Sequence, residues 1–104
     1  GKGYEGEWKA DNMDGQGTCW YANGDRYEGE WKADTRDGRG TCWYVDGRVK
    51  IGSYSRDKDS GEGVRWSADR RSATLLKDGK EVREISLSRA NSIASGMGFS
   101  YVPK

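Results

Sequence analysis

The stretch YEGEWKADNMDGQGTCWYANGDR, residues 4–26, is followed directly by YEGEWKADTRDGRGTCWYVDGRV, residues 27–49. The copies are offset by 23 residues, and their Tyr, Gly and Trp residues fall in register. The matched pairs are Tyr4 and Tyr27, Gly6 and Gly29, Trp8 and Trp31, Gly15 and Gly38, Gly17 and Gly40, and Trp20 and Trp43. A degenerate third copy keeps the same positions at Gly52, Tyr54, Gly61, Gly63 and Trp66, with Lys50 in place of the Tyr. A fixed period of this size predicts an array of identical supersecondary units.

Each unit has the pattern of a β-hairpin. YEGEW alternates between two faces, which is the period of a half-buried strand, and GQGTCWY is a second strand. The polar KADNMD segment separates the two, and ANGD or VDGR supplies the Asn-Gly or Asp-Gly pair that favours a tight hairpin turn. Predicted strands cover 4–9, 16–21, 26–32, 39–44, 48–54, 62–67, 72–77 and 80–85. The predicted fold class is mainly β, a single-layer antiparallel β-meander.

Glycine inside a strand normally weakens it, so the Gly between Tyr and Trp on one face needs a reason. We expect the missing side chain at Gly6 and Gly29 to let neighbouring rings lie over the backbone and stack along the array.

The domain organisation follows from the decay of the repeat after residue 70. Three tandem repeats occupy residues 1–24, 25–47 and 48–70, and residues 71–104 form a degenerate final hairpin plus a short capping helix at about 87–95. Ser86 or Ser88 is the predicted N-cap, Gly96 is expected just past the end, and the apolar stripe consists of Leu87, Ala90, Ile93 and Ala94. Gly1 lies at a repeat boundary, which indicates a fragment of a larger protein with more repeats upstream.

The composition places the chain in the folded class despite few aliphatic residues. Charged residues make up 34%, but five Trp and six Tyr are uncommon in disordered segments. The net charge of +1 does not indicate nucleic-acid binding. No apolar run or signal peptide appears, so cytoplasmic residence is expected. Cys19 and Cys42 hold equivalent positions roughly 9–10 Å apart, too far for a disulfide, and are predicted to be free, packed thiols.

The repeat resembles the MORN repeat, whose pattern is Tyr-x-Gly-x-Trp, a turn, Gly-x-Gly, a short strand and a turn Gly before the next Tyr. The resemblance covers residues 1–70 and places the chain at the C-terminal end of an array. Asp11, Asp34 and Asp57 stand where the family usually has Gly. The resemblance implies a non-enzymatic module for protein–protein contacts or self-association, with a discussed link to membranes and phosphoinositides.

Two sets of aromatic residues are candidate binding sites. The first lies on one face of the sheet and is either the core or an open groove for a partner helix or peptide. It comprises Tyr4, Trp8, Tyr21, Tyr27, Trp31, Tyr44 and Tyr54. The second lies on the opposite face as a candidate docking or self-association strip, unless it packs against the terminal helix. It comprises Trp20, Trp43 and Trp66.

A basic set near the third repeat is a candidate contact for anionic lipid, although most such residues are expected to be solvated. It comprises Arg48, Lys50, Arg65, Arg70 and Arg71. Catalytic residues, a metal site and a cofactor are not expected, because His is absent and the carboxylates are scattered through the repeats.

Three functions therefore compete. The first is a protein-interaction scaffold that binds a protein partner or forms a homodimer. The second is a phosphoinositide or acidic-membrane binding module, which would make the chain membrane- or cytoskeleton-associated. The third, a glycan-binding repeat, fits the YEGEW signature less well.

Overall fold

A computed structural model of the chain describes residues 3–99. These residues form one open antiparallel sheet in which each strand pairs with the next along the chain, and a single helix follows. The strands are β1 Gly3–Lys9, β2 Asn12–Trp20, β3 Arg26–Lys32, β4 Thr35–Trp43, β5 Val49–Ser55, β6 Lys58–Trp66, β7 Ala73–Lys77 and β8 Lys80–Ile85, and the helix is α1 Leu87–Gly96. The predicted mainly β meander with a short C-terminal helix is confirmed.

The turn inside each repeat is tighter than the sequence indicated. Strands β2, β4 and β6 begin at residues 12, 35 and 58, so the predicted starts at 16, 39 and 62 are wrong. Only two residues separate β1 from β2, and both of them, Ala10 and Asp11, have positive φ. A type I′ hairpin turn requires this conformation, and Asp tolerates it better than most residues. The Asn23–Gly24 pair lies instead in a five-residue loop between β2 and β3.

Asp in this turn also links successive hairpins. The Met13 N–H donates to Asp34 Oδ1 at 2.7 Å, and the Asp34 N–H donates to the Met13 carbonyl at 3.0 Å. Asp57 repeats both contacts with Arg36, at 2.7 and 2.9 Å. The Asp that replaces the usual Gly therefore serves as a side-chain acceptor as well as a turn former.

Glycine makes room for the Tyr rings, as expected. A Cβ at Gly40 would lie 2.2–2.3 Å from atoms of the Tyr27 ring, and one at Gly29 would lie 2.6 Å from the Tyr27 hydroxyl. Tyr4 lies against Gly6 and Gly17 in the same way in the first repeat. No side chain larger than hydrogen fits between ring and backbone at these positions.

The two faces of the sheet carry different cores. We call the face with Tyr4, Trp8, Tyr27, Trp31 and Tyr54 the aromatic face, because its core is a cluster of rings. The opposite face, the helix face, is covered by α1 at the third repeat and final hairpin. Its buried cluster comprises Ile51, Val64, Trp66, Ala73, Leu75, Ile85, Ala90 and Ala94.

The capping helix forms where predicted, with small corrections. Ser86 is the N-cap, and its Oγ accepts the Arg89 N–H at 3.0 Å. Gly96 is the last helical residue rather than the residue beyond the end, and Leu87 is exposed instead of joining the stripe. The predicted repeat boundary at Gly1 and residues 100–104 of the predicted cap lie outside the described residues.

Candidate functional site

Five rings form a continuous array along the aromatic face. The order is Trp8, Tyr4, Trp31, Tyr27 and Tyr54. Neighbouring centroids lie between 5.0 and 5.4 Å apart, and each pair is nearly perpendicular. Such edge-to-face pairs contribute about 0.5–1.5 kcal/mol each beyond the area they bury. The array is thus a preorganised wall of rings rather than a set of independent side chains.

Burial changes sharply along this array. Tyr27, Trp31 and Tyr54 are at most 5% exposed, so these members of the predicted groove are core residues. Trp8 is 57% exposed although it occupies the same repeat position as Trp31. Tyr4, Tyr21 and Tyr44 are partly buried. The accessible part of the aromatic face therefore lies at the first repeat and along the rim formed by Tyr21 and Tyr44.

Two residues that were not among the sequence-predicted site residues also line the aromatic face. Met13 is the cross-strand partner of Trp8, and Arg36 is the partner of Trp31. The Arg36 guanidinium lies 4.5 Å from the Tyr54 ring centroid, and its Nε contacts Asp57 at 3.2 Å. Correct prediction of the two-residue turns would have placed both residues in strands, since β2 and β4 begin at residues 12 and 35.

The aromatic face becomes ionic at the third repeat. Lys50, in the Tyr position, is 8% exposed; its Nζ lies 4.9 Å from the Tyr54 ring centroid and is ion-paired with Asp59. A depression of about 460 Å³ opens here. It is lined by Tyr21, Ala22, Asn23, Asp25, Arg36, Cys42, Tyr44, Lys50, Tyr54 and Asp59. Lys50 therefore puts an ion pair where the first two repeats have a Tyr ring.

Burial favours the neutral form of the tyrosine hydroxyls and the cysteine thiols on this face. Desolvation raises the pKa of Tyr21 to about 12 and raises the pKa values of Tyr27 and Tyr54 further. Desolvation also raises the pKa of both thiols, Cys19 and Cys42, which are free as predicted. A raised pKa reduces the thiolate fraction at neutral pH, so the two cysteines act here as packing residues.

The tryptophan strip on the helix face is interrupted. Trp66 is 1% exposed and packs with Ala90 and Ala94 of α1, so for this residue the structure shows the packing against the terminal helix that the sequence left as an alternative. Trp20 and Trp43 are partly buried, and the Arg26 guanidinium lies 4.0 Å from the Trp43 ring centroid. The accessible part of the strip is therefore Trp20, Arg26 and Trp43.

Most of the basic set has partners within the protein. Arg48 pairs with Asp46 at 2.9 Å, Lys50 pairs with Asp59, and Arg65 pairs with Glu81. Arg70 Nη1 donates to the carbonyls of Gly47, Ser67 and Ala68, and so fixes the loop after β6. Arg71 is exposed. The set is not arranged as a free cationic patch.

Residues 3–99 contain no group of three or more His, Cys, Asp or Glu side chains arranged to hold a metal ion. Within the same residues, no helix has the length and apolar character needed to cross a bilayer.

Comparison with known proteins identifies the repeat. The family model described as the MORN repeat matches residues 4–26 and 27–47. A search of the curated proteins finds no match to the chain. The two matched ranges correspond to β1–β2 and β3–β4 with their loops, and β5–β6 pairs in the same order as these hairpins.

Proposed function

This chain carries two tandem MORN repeats, residues 4–26 and 27–47, and we propose that it is a non-enzymatic scaffold module that binds another protein through its aromatic face. The observation that supports this function is the ring array that ends at Trp8. Helix α1 packs on the opposite face, against β6 and β7. Trp8 is therefore a large apolar side chain with 57% of its surface exposed, on a face over which α1 does not pack.

The chemistry of this surface favours a protein partner. Trp and Arg are over-represented among the residues that dominate binding energy at protein interfaces. Trp8, Tyr4 and Met13 supply an apolar patch, and the rim supplies the Tyr21 hydroxyl and the Arg36 guanidinium. The buried rings hold Tyr4 and Trp8 in place, which reduces the entropy lost on binding. The partner segment should present apolar side chains to Trp8 and a hydrogen-bond acceptor to the rim.

The remaining parts of the proposal follow from this role. The module is expected to work in the cytoplasm, with membrane or cytoskeletal association conferred by its partners. Self-association through Trp20 and Trp43 is a second route to assembly. Light scattering on a Trp20→Ala, Trp43→Ala double variant tests that route and leaves the buried Trp66 intact.

Affinity capture with the immobilised chain tests partner binding. Trp8→Ala should remove captured proteins that wild type retains, because it deletes the exposed end of the array. Val82→Ala is the matched control, since Val82 is 49% exposed on β8, away from the aromatic array. A photo-crosslinker at position 13 should label the same proteins.

Capture that does not depend on the aromatic face would contradict the proposal. If every captured protein is lost equally with Val82→Ala, or none depends on Trp8, Tyr21 or Arg36, the aromatic face is not the binding surface.

Binding to acidic membranes is a second candidate, and exposed Arg71 is the residue that favours it. Sedimentation with vesicles containing phosphoinositide tests it by Arg71→Glu, with Lys32→Glu, on an exposed strand end, as control. Arg70→Glu is unsuitable because Arg70 fixes a loop. Equal sedimentation of wild type and Arg71→Glu would exclude a specific contact at Arg71.

A further inference from the structure

A cavity of about 300 Å³ lies on the helix face, between the second repeat and the segment that follows α1. Strands β2, β3 and β4 supply one wall, and residues 97–99 supply the other. The residues on the sheet side are Gln16, Glu28, Gly29, Glu30, Arg39 and Thr41. We propose that this helix-face cavity binds an alkylammonium group of another molecule, of the kind that a lysine side chain carries.

The first observation is a polar side chain that is buried at the cavity. Thr41 is 2% exposed, and within residues 3–99 its hydroxyl has no hydrogen-bond partner. Its cross-strand partner on β3 is Glu28. In the third repeat the same two positions hold Ile51 and Val64, which pack with α1 in the apolar cluster. A covered position that keeps a hydroxyl needs a polar partner, so this cavity favours a polar ligand.

The charges that line the cavity favour a cation. Glu28 makes no ion pair within the described residues, whereas Glu30 lies 3.4 Å from Arg39 Nε. Arg39 Nη1 donates to the Met97 carbonyl at 2.7 Å, so this guanidinium already has partners. An anion would be repelled by the unpaired carboxylate of Glu28, whereas an ammonium group forms a charge-assisted hydrogen bond with it. The described part of the chain offers no three-ligand group for a metal ion, so an organic cation fits better.

The wall formed by residues 97–99 provides an apolar surface for the alkyl part of the ligand. Met97 and Phe99 are partly buried and pack against the buried cluster of the helix face. The Phe99 N–H donates to the Ala94 carbonyl at 3.1 Å, which fixes the segment to the end of α1. The Arg39 contact joins the same segment to β4. Because both walls are held in place, little conformational entropy is lost on binding.

The first repeat provides an internal control. Glu5 and Thr18 form the equivalent cross-strand pair, but neither of them lines the cavity. Thr18 is only partly buried. Variants at these two positions therefore match variants at Glu28 and Thr41 in local sequence and in strand position, without touching the proposed site.

Titration of the full chain with n-butylammonium chloride tests the proposal. Binding is followed by the NMR signal of the Met97 ε-methyl group, and the other methionine, Met13, lies on the aromatic face and serves as a control in the same spectrum. We expect a saturable shift at Met97 with the amine and none with 1-butanol, which has a similar shape but no charge. Nα-acetyl-lysine methylamide, titrated in parallel, distinguishes a lysine side chain from a free amine as the source of the group.

Matched variants locate the site. Glu28→Gln should weaken the affinity roughly fivefold, because the ion pair is lost. Thr41→Val should weaken it by a similar factor through loss of the hydroxyl. Glu5→Gln and Thr18→Val should leave it unchanged.

Three results would overturn the proposal. One is the absence of a saturable shift at Met97 with either amine. Another is an equal loss of affinity in Glu5→Gln and Glu28→Gln, which would indicate general attraction to acidic surface. The last is amine binding that occurs only in Lys104→Gln, because the cavity would then belong to this chain's own lysine. The cavity lies on the helix face, so each of these results leaves partner binding by the aromatic face untouched.

Discussion

Gly29 and Gly52 hold the same repeat position, yet they differ in the space around them. A Cβ at Gly29 would lie 2.5 Å from the Arg39 carbonyl oxygen and from Gly40 Cα, whereas one at Gly52 meets nothing closer than Gly63 Cα at 3.8 Å. Gly29→Ala should therefore lower the free energy of unfolding by about 1–3 kcal/mol, as overpacking does in other cores. Gly52→Ala should change it by no more than about 0.5 kcal/mol. Urea denaturation measures both, and equal losses would contradict the ring-over-glycine account.

The buried tyrosines predict a fall in stability at alkaline pH. Desolvation raises the pKa of Tyr21 to about 12 in the folded protein, from the ordinary value of 10.0. The unfolded chain loses this proton first, so the contribution of Tyr21 to the free energy of unfolding should be constant below about pH 10 and decrease from about pH 10 to 12. Urea denaturation across this range checks the fall. Tyr21→Phe should make it shallower, and an unchanged slope would show that Tyr21 ionises freely in the fold.

At the scale of elements, the turn aspartates determine how hairpins join. Asp34→Gly keeps the positive φ but removes the acceptor for the Met13 N–H, and should cost about 1 kcal/mol, net of any relief of turn strain. Asp11→Gly is the matched control, because Asp11 makes no such contact within residues 3–99. Thermal or urea unfolding of both variants gives the difference, and an equal cost would mean that Asp acts only through the turn conformation.

The helix start gives a second test at this scale. Ser86 accepts the Arg89 N–H, whereas Ser88 lies exposed inside α1. Ser86→Ala should lower the free energy of unfolding by about 1 kcal/mol, while Ser88→Ala should be neutral or slightly stabilising. Circular dichroism during urea unfolding compares them. The reverse order would place the N-cap at Ser88.

At the scale of the whole molecule, the 23-residue offset between Tyr4 and Tyr27 was enough to predict the hairpins, their order and the use of glycine under the Tyr rings. Because these features occur in every copy of the repeat, each copy supports the structural interpretation of the others. The turn between β1 and β2 was predicted to be too long, because nothing in the sequence indicates that Ala10 has a positive φ. The Asn23–Gly24 pair, in contrast, is typical of positive φ. The real turn depends on a backbone conformation that Asp11 supports.

Exposure could not be predicted from the repeat. Trp8 and Trp31 have the same neighbours in sequence, but Trp31 has a preceding hairpin to reach and Trp8 has none within the described residues. Trp66 is covered because α1 folds back on that face, a contact between segments without repeat character. Lys50 and Arg70 were expected to be solvated or to contact lipid, but the meander brings them to partners within the protein, Asp59 and the Gly47 carbonyl.

Fluorine NMR of the chain labelled with 5-fluorotryptophan tests the central claim, that the aromatic face is closed over the second and third repeats and open at Trp8. The five signals are assigned by single Trp→Phe variants, and each is measured in H₂O and D₂O. Trp8 should show the largest solvent isotope shift, Trp20 and Trp43 intermediate shifts, and Trp31 and Trp66 almost none. A shift at Trp8 as small as that at Trp31 would contradict the claim, since no exposed end would remain to bind a partner.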